Sequence, residues 1–177
     1  MLAATDEVLM GCVKNQQSRE AFSVLMSRHK NHAYRLALQL TGDHDDAMDG
    51  AQEAFVKVFT KARLFDEGRR FWPWFATILR NTVRSMQRSR ARRRRAGNEE
   101  LAQHIADPTA DTTVRARAAE AWGRVLALPP KLREVVVLRH LEGMSYEDIG
   151  AVLDISPNTV ATRLHAARKK LAGDDEA

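Results

Sequence analysis

The chain has 177 residues, a formal net charge of +5, 44% hydrophobic residues and a single cysteine. This length allows one or two small domains and excludes a large catalytic barrel, and the hydrophobic share suffices for a buried core. No run approaches the roughly 18 apolar residues that span a bilayer, and the first residues lack the pattern of a secretory signal. Cys12 alone excludes an intramolecular disulfide and a cysteine-based zinc site. We therefore expect a cytoplasmic protein that does not insert into a membrane.

The positive charge is concentrated in one segment of the chain. Residues 69–98 contain ten arginines and no acid, whereas residues 1–68 have a net charge of −2 and residues 99–113 carry four acids and no base. A block of this kind is typical of a polyanion-binding surface or of a solvated tail. Arginine favours the first interpretation if the block lies on an ordered helix, because its planar fork suits phosphates and base edges.

Apolar residues recur at helical spacing along most of the chain, and no strand-like alternation persists. A first helix is predicted from Phe22 to Leu40, ending at Thr41-Gly42. A second begins near Asp43–Asp45, and a third begins at Pro73, which the first turn of a helix tolerates. We expect these helices to form one small bundle.

The composition changes after Arg95. Residues 96–113 contain glycine, proline and four acids with little apolar periodicity, and helical patterning then resumes as far as Leu171. The sequence therefore predicts an all-α fold of two small helical domains, residues 1–95 and 114–177, joined by a flexible acidic linker over residues 96–113.

The C-terminal segment predicts a helix-turn-helix. Ser145 caps a short helix, and Ser156-Pro157 opens a longer one that buries residues at helical spacing and presents a polar outer face. An ordinary helical hairpin fits the spacing equally well. The basic end, with Arg163, Arg168 and Lys169, favours DNA.

Two surfaces of opposite charge are predicted in the N-terminal domain. Arg80, Arg84 and Arg88 recur every four residues along the third helix, after the aromatic-rich loop 65–75. Rings beside arginines suit unpaired nucleic acid. Phe75 is expected in the core, Phe71 and Trp74 fit the core and the surface equally well, and Trp72 is expected to be exposed.

The second helix has an acidic outer face formed by Asp46, Asp49 and Glu53. The helix dipole accounts for acids in the first turn but not for the deeper Asp49 and Glu53. Val56 on the same outward face suggests a docking surface for a basic partner.

Catalysis is not indicated. A pair of catalytic carboxylates needs an apolar pocket that makes their pKa values differ, and the carboxylates of this chain are expected to be solvated instead. His29, His32 and His44 could in principle bind a metal, but no carboxylate or thiolate completes the site. No phosphate loop or dinucleotide fingerprint is present. We expect no cofactor, no metal and no enzymatic activity.

These motifs together resemble the extracytoplasmic-function (ECF) group of sigma-70 family RNA polymerase sigma factors. Residues 34–42 and 45–55 are similar to sigma region 2, and residues 70–81 to its promoter-melting segment. Residues 128–139 and 142–150 are similar to sigma region 4. The partners implied are core RNA polymerase (the β′ clamp helices and the β flap), promoter DNA and an anti-sigma factor.

The resemblance also implies three sets of site residues. The polymerase-binding set is Asp45, Asp46, Asp49, Gln52 and Glu53. The set that holds a flipped base of the −10 element and melts the DNA is Phe65, Arg69, Arg70, Phe71, Trp72, Trp74, Arg80, Asn81, Arg84 and Arg88. The set that reads the −35 element is Ser156, Asn158, Thr159, Thr162, Arg163, His165, Arg168 and Lys169.

Three positions depart from the family pattern. Gly50 replaces a leucine in the clamp-binding helix, which costs roughly 1 kcal/mol of helix propensity relative to alanine. Trp72-Pro73 replaces a more polar pair. Ala161 and Ala166 stand where the family commonly has Lys or Arg, which weakens the expected −35 contacts.

Three other functions are compatible with parts of the sequence. A stand-alone helix-turn-helix regulator would use the N-terminal bundle for sensing or dimerisation. A basic RNA-binding protein would use residues 80–95, and a metalloenzyme would use the three histidines. The acidic face with Val56, beside the aromatic loop, favours the sigma factor over the regulator, because a sensor needs neither.

Overall fold

The computed structural model describes residues 3–95 and 114–173, except for the side chains of Arg94 and residues 114–118. Every regular element in these ranges is helical, which confirms the all-α prediction. The chain divides into two units, Met1–Gln103 and His104–Ala177, with the boundary inside the predicted linker. The linker itself, residues 96–113, lies outside the described residues.

The N-terminal unit contains four helices. They are α1 (Asp6–Gln16), α2 (Arg19–Thr41), α3 (His44–Thr60) and α4 (Phe71–Arg95), with a short 3₁₀ turn at Ala62–Leu64. The C-terminal end of α2 and the start of α3 agree with the sequence prediction, whereas α2 starts three residues before Phe22, α4 starts two residues before Pro73, and α1 was not predicted.

Local side chains start three of these four helices. Thr5 accepts a hydrogen bond from Val8 N, Ser18 from Ala21 N at 3.2 Å, and Asp43 from Asp46 N at 2.8 Å. Each side chain satisfies one of the backbone N–H groups that a helix start leaves unpaired. The helix α4 differs, because Arg70 precedes it and an arginine side chain has no acceptor atom.

The core of this unit lies between α2, α3 and α4. The inner side of α3 is formed by the buried Ala47, Ala51, Ala54, Phe55 and Val58, and that of α4 includes the buried Phe75, Leu79 and Val83. The helices α3 and α4 approach closely at Gly50, where a Cβ atom would lie 2.7 Å from Val83 Cγ2. Gly50 is therefore a packing residue on the inner side of α3, rather than a gap in its outward face.

The C-terminal unit contains α5 (Val114–Ala127), α6 (Pro130–Val136), α7 (Tyr146–Leu153) and α8 (Pro157–Gly173). A π turn over Val137–Leu141 continues α6. The core of the C-terminal unit is formed by apolar side chains from α6 to α8. The largest fully buried ones include Leu138, Ile149 and Leu164. No helix in the described parts of the chain is long and apolar enough to cross a bilayer.

Replacing Gly50 with alanine tests the close crossing of α3 and α4. Overpacking costs about 1–3 kcal/mol, which exceeds the roughly 1 kcal/mol that alanine gains in helix propensity. We expect Gly50→Ala to lower the free energy of unfolding of the N-terminal unit, measured by urea denaturation. The control is Gly123→Ala in α5, where a Cβ atom would meet nothing within 4 Å. This control should be neutral or stabilising, and a gain in stability for Gly50→Ala as well would contradict the crossing.

Candidate polymerase and nucleic-acid interfaces

The outward face of α3 is acidic. The side chains of Asp45, Asp49, Gln52 and Glu53 are exposed, and the Glu53 carboxylate lies 3.3 Å from Lys57 Nζ. Asp46 differs from the prediction, because it is only 8% exposed and forms an ion pair with Arg90 of α4. Asp46 therefore joins α3 to α4, and the acidic surface consists of the other four residues.

Apolar side chains lie next to these acids. Val56 is 57% exposed, as predicted, and Met48 is exposed as well. Both line an apolar groove of about 810 Å³ between α2 and α3, together with Phe22, Met26 and Phe59. The acids thus adjoin an apolar surface, which is the composition expected of a protein-docking face and not of a DNA-binding one.

The loop between α3 and α4 is built on two buried rings. Phe65 and Phe71, at its two ends, are each 1% exposed, so neither ring is presented at the surface, and their contact with DNA stays a prediction. Their rings pack at 6.3 Å between centroids, and Trp74 packs against both. The charged residues between them, including Arg69 and Arg70, are exposed. The rings therefore support the loop from the core, and its polar residues form its surface.

Trp72 is not the exposed ring that the sequence predicted. It is half-buried and stacks on His32 at 3.7 Å, on His29 at 5.4 Å and on Phe75 at 5.3 Å between ring centroids. The sequence could not show this arrangement, because the histidines belong to α2 and Trp72 to α4.

The outer face of α4 carries an exposed amide between arginines. Asn81 is exposed, Arg88 is exposed and Arg84 is half-buried. Arg80 was expected on the same exposed face, but it is 8% exposed and donates a hydrogen bond from Nη1 to Asn81 Oδ1 at 3.1 Å. Arg80 is therefore buried beside the Asn81 amide and bonds to it, and its contact with DNA stays a prediction.

Contacts from α1 hold the loop in place, and the sequence reasoning missed them. Lys14 Nζ donates to the Phe65 carbonyl at 3.0 Å, and Phe71 N donates to Glu7 Oε1 at 3.0 Å. The sequence offers one weak signal: neither Arg69 nor Arg70, directly before α4, has an acceptor side chain, so a protein cap for this helix can only come from elsewhere.

The C-terminal unit contains the predicted helix-turn-helix in α7 and α8. Ser145 and Ser156 cap the two helices, accepting from Asp148 N at 3.1 Å and Thr159 N at 3.2 Å. The turn between them is tight: Asp154 has a left-handed backbone, and a Cβ atom on Gly150 would lie 2.7 Å from the Ile155 carbonyl oxygen.

The second helix of this motif presents the predicted polar face. The exposed side chains are Ser156, Asn158, Thr162, His165, Arg168 and Lys169, and Thr159 and Arg163 are half-buried. Val160, Leu164 and Ala167 are buried on the opposite side. A small polar face on a helix that follows a tight turn has the dimensions and chemistry for the major groove.

The three histidines do not converge on a metal site. The His29 ring bonds to Asp6, His32 stacks on Trp72, and the His44 ring bonds to the Tyr34 hydroxyl at 2.7 Å. Among the described residues, no three His, Cys, Asp or Glu side chains form a group that could hold a metal ion.

Both units match known protein families. Residues 25–93 match the family model of sigma-70 region 2, and residues 112–171 match that of sigma-70, region 4. The ECF RNA polymerase sigma factor SigE of Mycolicibacterium smegmatis is 32% identical over 171 residues, which cover 94% of this chain and 66% of that relative. The ECF RNA polymerase sigma factor SigW of Bacillus subtilis is 30% identical over 168 residues, which cover 86% and 88%.

A solved structure has the same fold. The sigma factor RpoE of Bartonella quintana, solved in complex with the anti-sigma factor NepR, superposes with a TM-score of 0.73. The two chains are 25% identical, and the match covers 85% of this chain and 93% of that one. Since both sigma-70 regions are matched in order and the ECF factor SigW is similar over most of its length, the chain belongs to the ECF group of sigma-70 family RNA polymerase sigma factors.

Proposed function

We propose that this sigma factor binds core RNA polymerase, recognises the −10 and −35 elements of a promoter, and promotes opening of the DNA. It acts in the cytoplasm and has no catalytic activity of its own. The observation that carries the proposal is that one small helical unit presents two surfaces of different chemistry, an acidic and apolar one on α3 and an amide between guanidinium groups on α4. A protein that only binds DNA has no use for the first surface.

The face of α3 contacts the polymerase. Asp45, Asp49, Gln52 and Glu53 supply carboxylates and an amide for a basic partner, which we identify as the β′ clamp helices. The exposed Val56 and Met48 add apolar area, which a stable interface needs at its centre. Asp46 contributes by fixing α3 against Arg90.

The loop 65–71 and the outer face of α4 contact the −10 element. Asn81 offers a donor and an acceptor to the edge of an unpaired base, and Arg84 and Arg88 hold the phosphates. Exposed Arg69 and Arg70 extend this surface into the loop. Flipping a base out of the duplex costs a few kcal/mol, and these contacts offset that cost.

The second helix of the helix-turn-helix reads the −35 element. Asn158, Thr162 and His165 face the base edges, and Arg168 and Lys169 bind the phosphate backbone. The same unit contacts the β flap. We propose that residues 1–95 and 114–177 act as separate domains, joined by the acidic linker 96–113.

An anti-sigma factor regulates the protein by covering these surfaces. The support is that the similar sigma factor RpoE was solved in complex with the anti-sigma factor NepR. The apolar groove between α2 and α3 is the surface of the N-terminal unit that most needs to be covered when the polymerase is absent.

Run-off transcription tests the proposed function. The protein is added to core polymerase with a library of promoter fragments, and transcripts that depend on both components support the proposal. Tight duplex binding without any promoter-dependent transcript would instead indicate a stand-alone regulator. RNA binding that survives deletion of residues 114–177, without polymerase association, would indicate an RNA-binding protein.

Reversing the charge of Asp49 should weaken polymerase binding at least tenfold. Asp49 is exposed and has a central position on the acidic face, so Asp49→Arg places a cation against a basic partner. We expect at least a tenfold loss of affinity for core polymerase, on the order expected for a charge placed against its like. The control, Glu20→Arg, makes the same change at an exposed site on α2. Unchanged affinity of Asp49→Arg would refute the docking face.

Removing the Asn81 amide should slow promoter opening without weakening polymerase binding. Losing one hydrogen bond to a base corresponds to roughly a three- to tenfold effect. Opening is measured by the reactivity of unpaired thymines to permanganate, and polymerase binding by fluorescence anisotropy. Gln16→Ala removes an exposed amide at the end of α1 as a control. Equal losses of binding and opening in Asn81→Ala would count against the base contact.

Restoring a cation at Ala166 should strengthen −35 binding. Ala166 is exposed on the outer face of α8, so an arginine there reaches the DNA. Each added phosphate contact makes the slope of log affinity against log salt steeper by about 0.9. Ala127→Arg, on the exposed end of α5, adds the same charge outside the helix-turn-helix. The same slope for both variants would show that α8 does not face the DNA.

A further inference from the structure

We infer that α1 is a positioning element for promoter opening, in which Glu7 and Lys14 hold the two ends of the loop that leads into α4. The inference rests on the proposed role of that loop in contacting the −10 element. Glu7 and Lys14 are positioning residues, since they bond to the backbone of Phe71 and Phe65 at the two ends of the loop, and neither contact requires DNA.

Glu7 caps α4 from a distant part of the chain. Its Oε1 accepts a hydrogen bond from Phe71 N at 3.0 Å, the first N–H of the helix. Arg69 and Arg70, the residues just before the helix, have no acceptor side chain, so no local residue there could take this role. This hydrogen bond holds the pKa of the Glu7 carboxyl below its usual range, so the carboxylate is charged at neutral pH. A carboxylate at a helix start also interacts favourably with the helix dipole.

Lys14 holds the opposite end of the loop. Its Nζ donates to the Phe65 carbonyl at 3.0 Å and lies 3.2 Å from Glu67 Oε1. Asn15 Nδ2 donates to the same Glu67 oxygen at 3.4 Å. Lys14 thus neutralises a carboxylate in a loop that has to approach phosphates, and it fixes the backbone at the point where the loop begins.

The helix that carries these residues is itself firmly seated. Leu9, Met10 and Val13 are buried, and Asp6 pairs with Arg28 at 2.7 Å and with His29 at 2.6 Å. Burial raises the pKa of Asp6, but the hydrogen bonds from Arg28 and His29 outweigh it and leave that pKa below its usual range. Both partners belong to α2, so these ion pairs hold α1 on α2. The loop, which is bonded to α1, is thereby held in a fixed position relative to the bundle.

The helix α1 lies outside the part of the chain that matches the sigma-70 region 2 family model, which covers residues 25–93, whereas its partners Phe65, Glu67 and Phe71 lie inside it. The α1 contacts also differ in kind from the proposed DNA contacts, because they go to the backbone of Phe65 and Phe71 and to the Glu67 carboxylate. Their loss should therefore affect how readily the loop adopts the shape that opens DNA, and leave the acidic face of α3 unchanged.

The test compares holoenzymes that contain Glu7→Ala, Glu7→Gln or the control Glu20→Ala, an exposed acid on α2. We expect Glu7→Ala to slow promoter opening about tenfold, the size associated with the loss of a helix cap. Affinity for core polymerase should stay within twofold of the unaltered protein. Glu7→Gln keeps an acceptor oxygen without the charge, and it should recover part of the rate.

A pre-opened promoter separates positioning from a general structural defect. On a template with unpaired bases at the −10 element, Glu7→Ala should transcribe at the normal rate, because opening is no longer needed. A wild-type opening rate for Glu7→Ala on duplex DNA, or equal losses of polymerase binding and opening, would overturn the inference. If circular dichroism shows that Glu7→Ala does not fold, Lys14→Gln is tested in its place, and the same results support or overturn the inference. Absence of promoter-dependent transcription by the unaltered holoenzyme would instead refute the proposed function.

Discussion

The close crossing of α3 and α4 at Gly50 determines which residues of the N-terminal unit face outwards. A Cβ atom at this position would lie 2.7 Å from Val83 Cγ2, so the two helices approach more closely than larger residues would permit. This contact fixes the rotation of each helix about its own axis. Since successive residues turn by about 100°, Asp49 and Glu53 lie about 100° and about 60° from Gly50, on the exposed edge of α3 beside α4, whereas Asn81 lies about 160° from Val83, on the outer side of α4. The proposed polymerase-binding and DNA-binding surfaces thus both depend on the contact between Gly50 and Val83, which is part of neither surface.

The charge available at the surface differs from the charge counted in the sequence. In the described part of the basic segment, Arg90 pairs with Asp46 and Arg80 donates to Asn81, so both guanidinium groups are engaged within the unit. An arginine and a carboxylate that are paired and largely buried add little to the long-range field, but they order the residues around them. The basic segment therefore has two roles. Some of its guanidinium groups organise α3 and α4, while others, such as Arg88, remain exposed to a polyanion.

The sequence predicted most of the helices and the outward face of α8, because apolar spacing and helix caps are local properties of the chain. It did not predict which side chains of the aromatic loop would be buried. The burial of Phe65 and Phe71, and the stacking of Trp72 on His32, depend on how separate helices meet. The helix α1 was missed for a related reason: it is short, and its buried residues and ion pairs stabilise it only against α2 and the loop. The site roles of individual residues stay predictions that the proposed variants address.

The bond between Glu7 and Phe71 joins residues that are 64 positions apart. During synthesis the acceptor leaves the ribosome well before its donor, so α4 lacks its cap until most of the N-terminal unit has been made. Bringing two residues this far apart into contact has an entropic cost. The packing of the helices has to offset that cost before the hydrogen bond can form. A nascent or incompletely folded chain consequently carries the basic segment without the finished loop. The capped start of α4 is thus acquired only with completion of the bundle, and with it the final shape of the loop that we propose contacts the promoter.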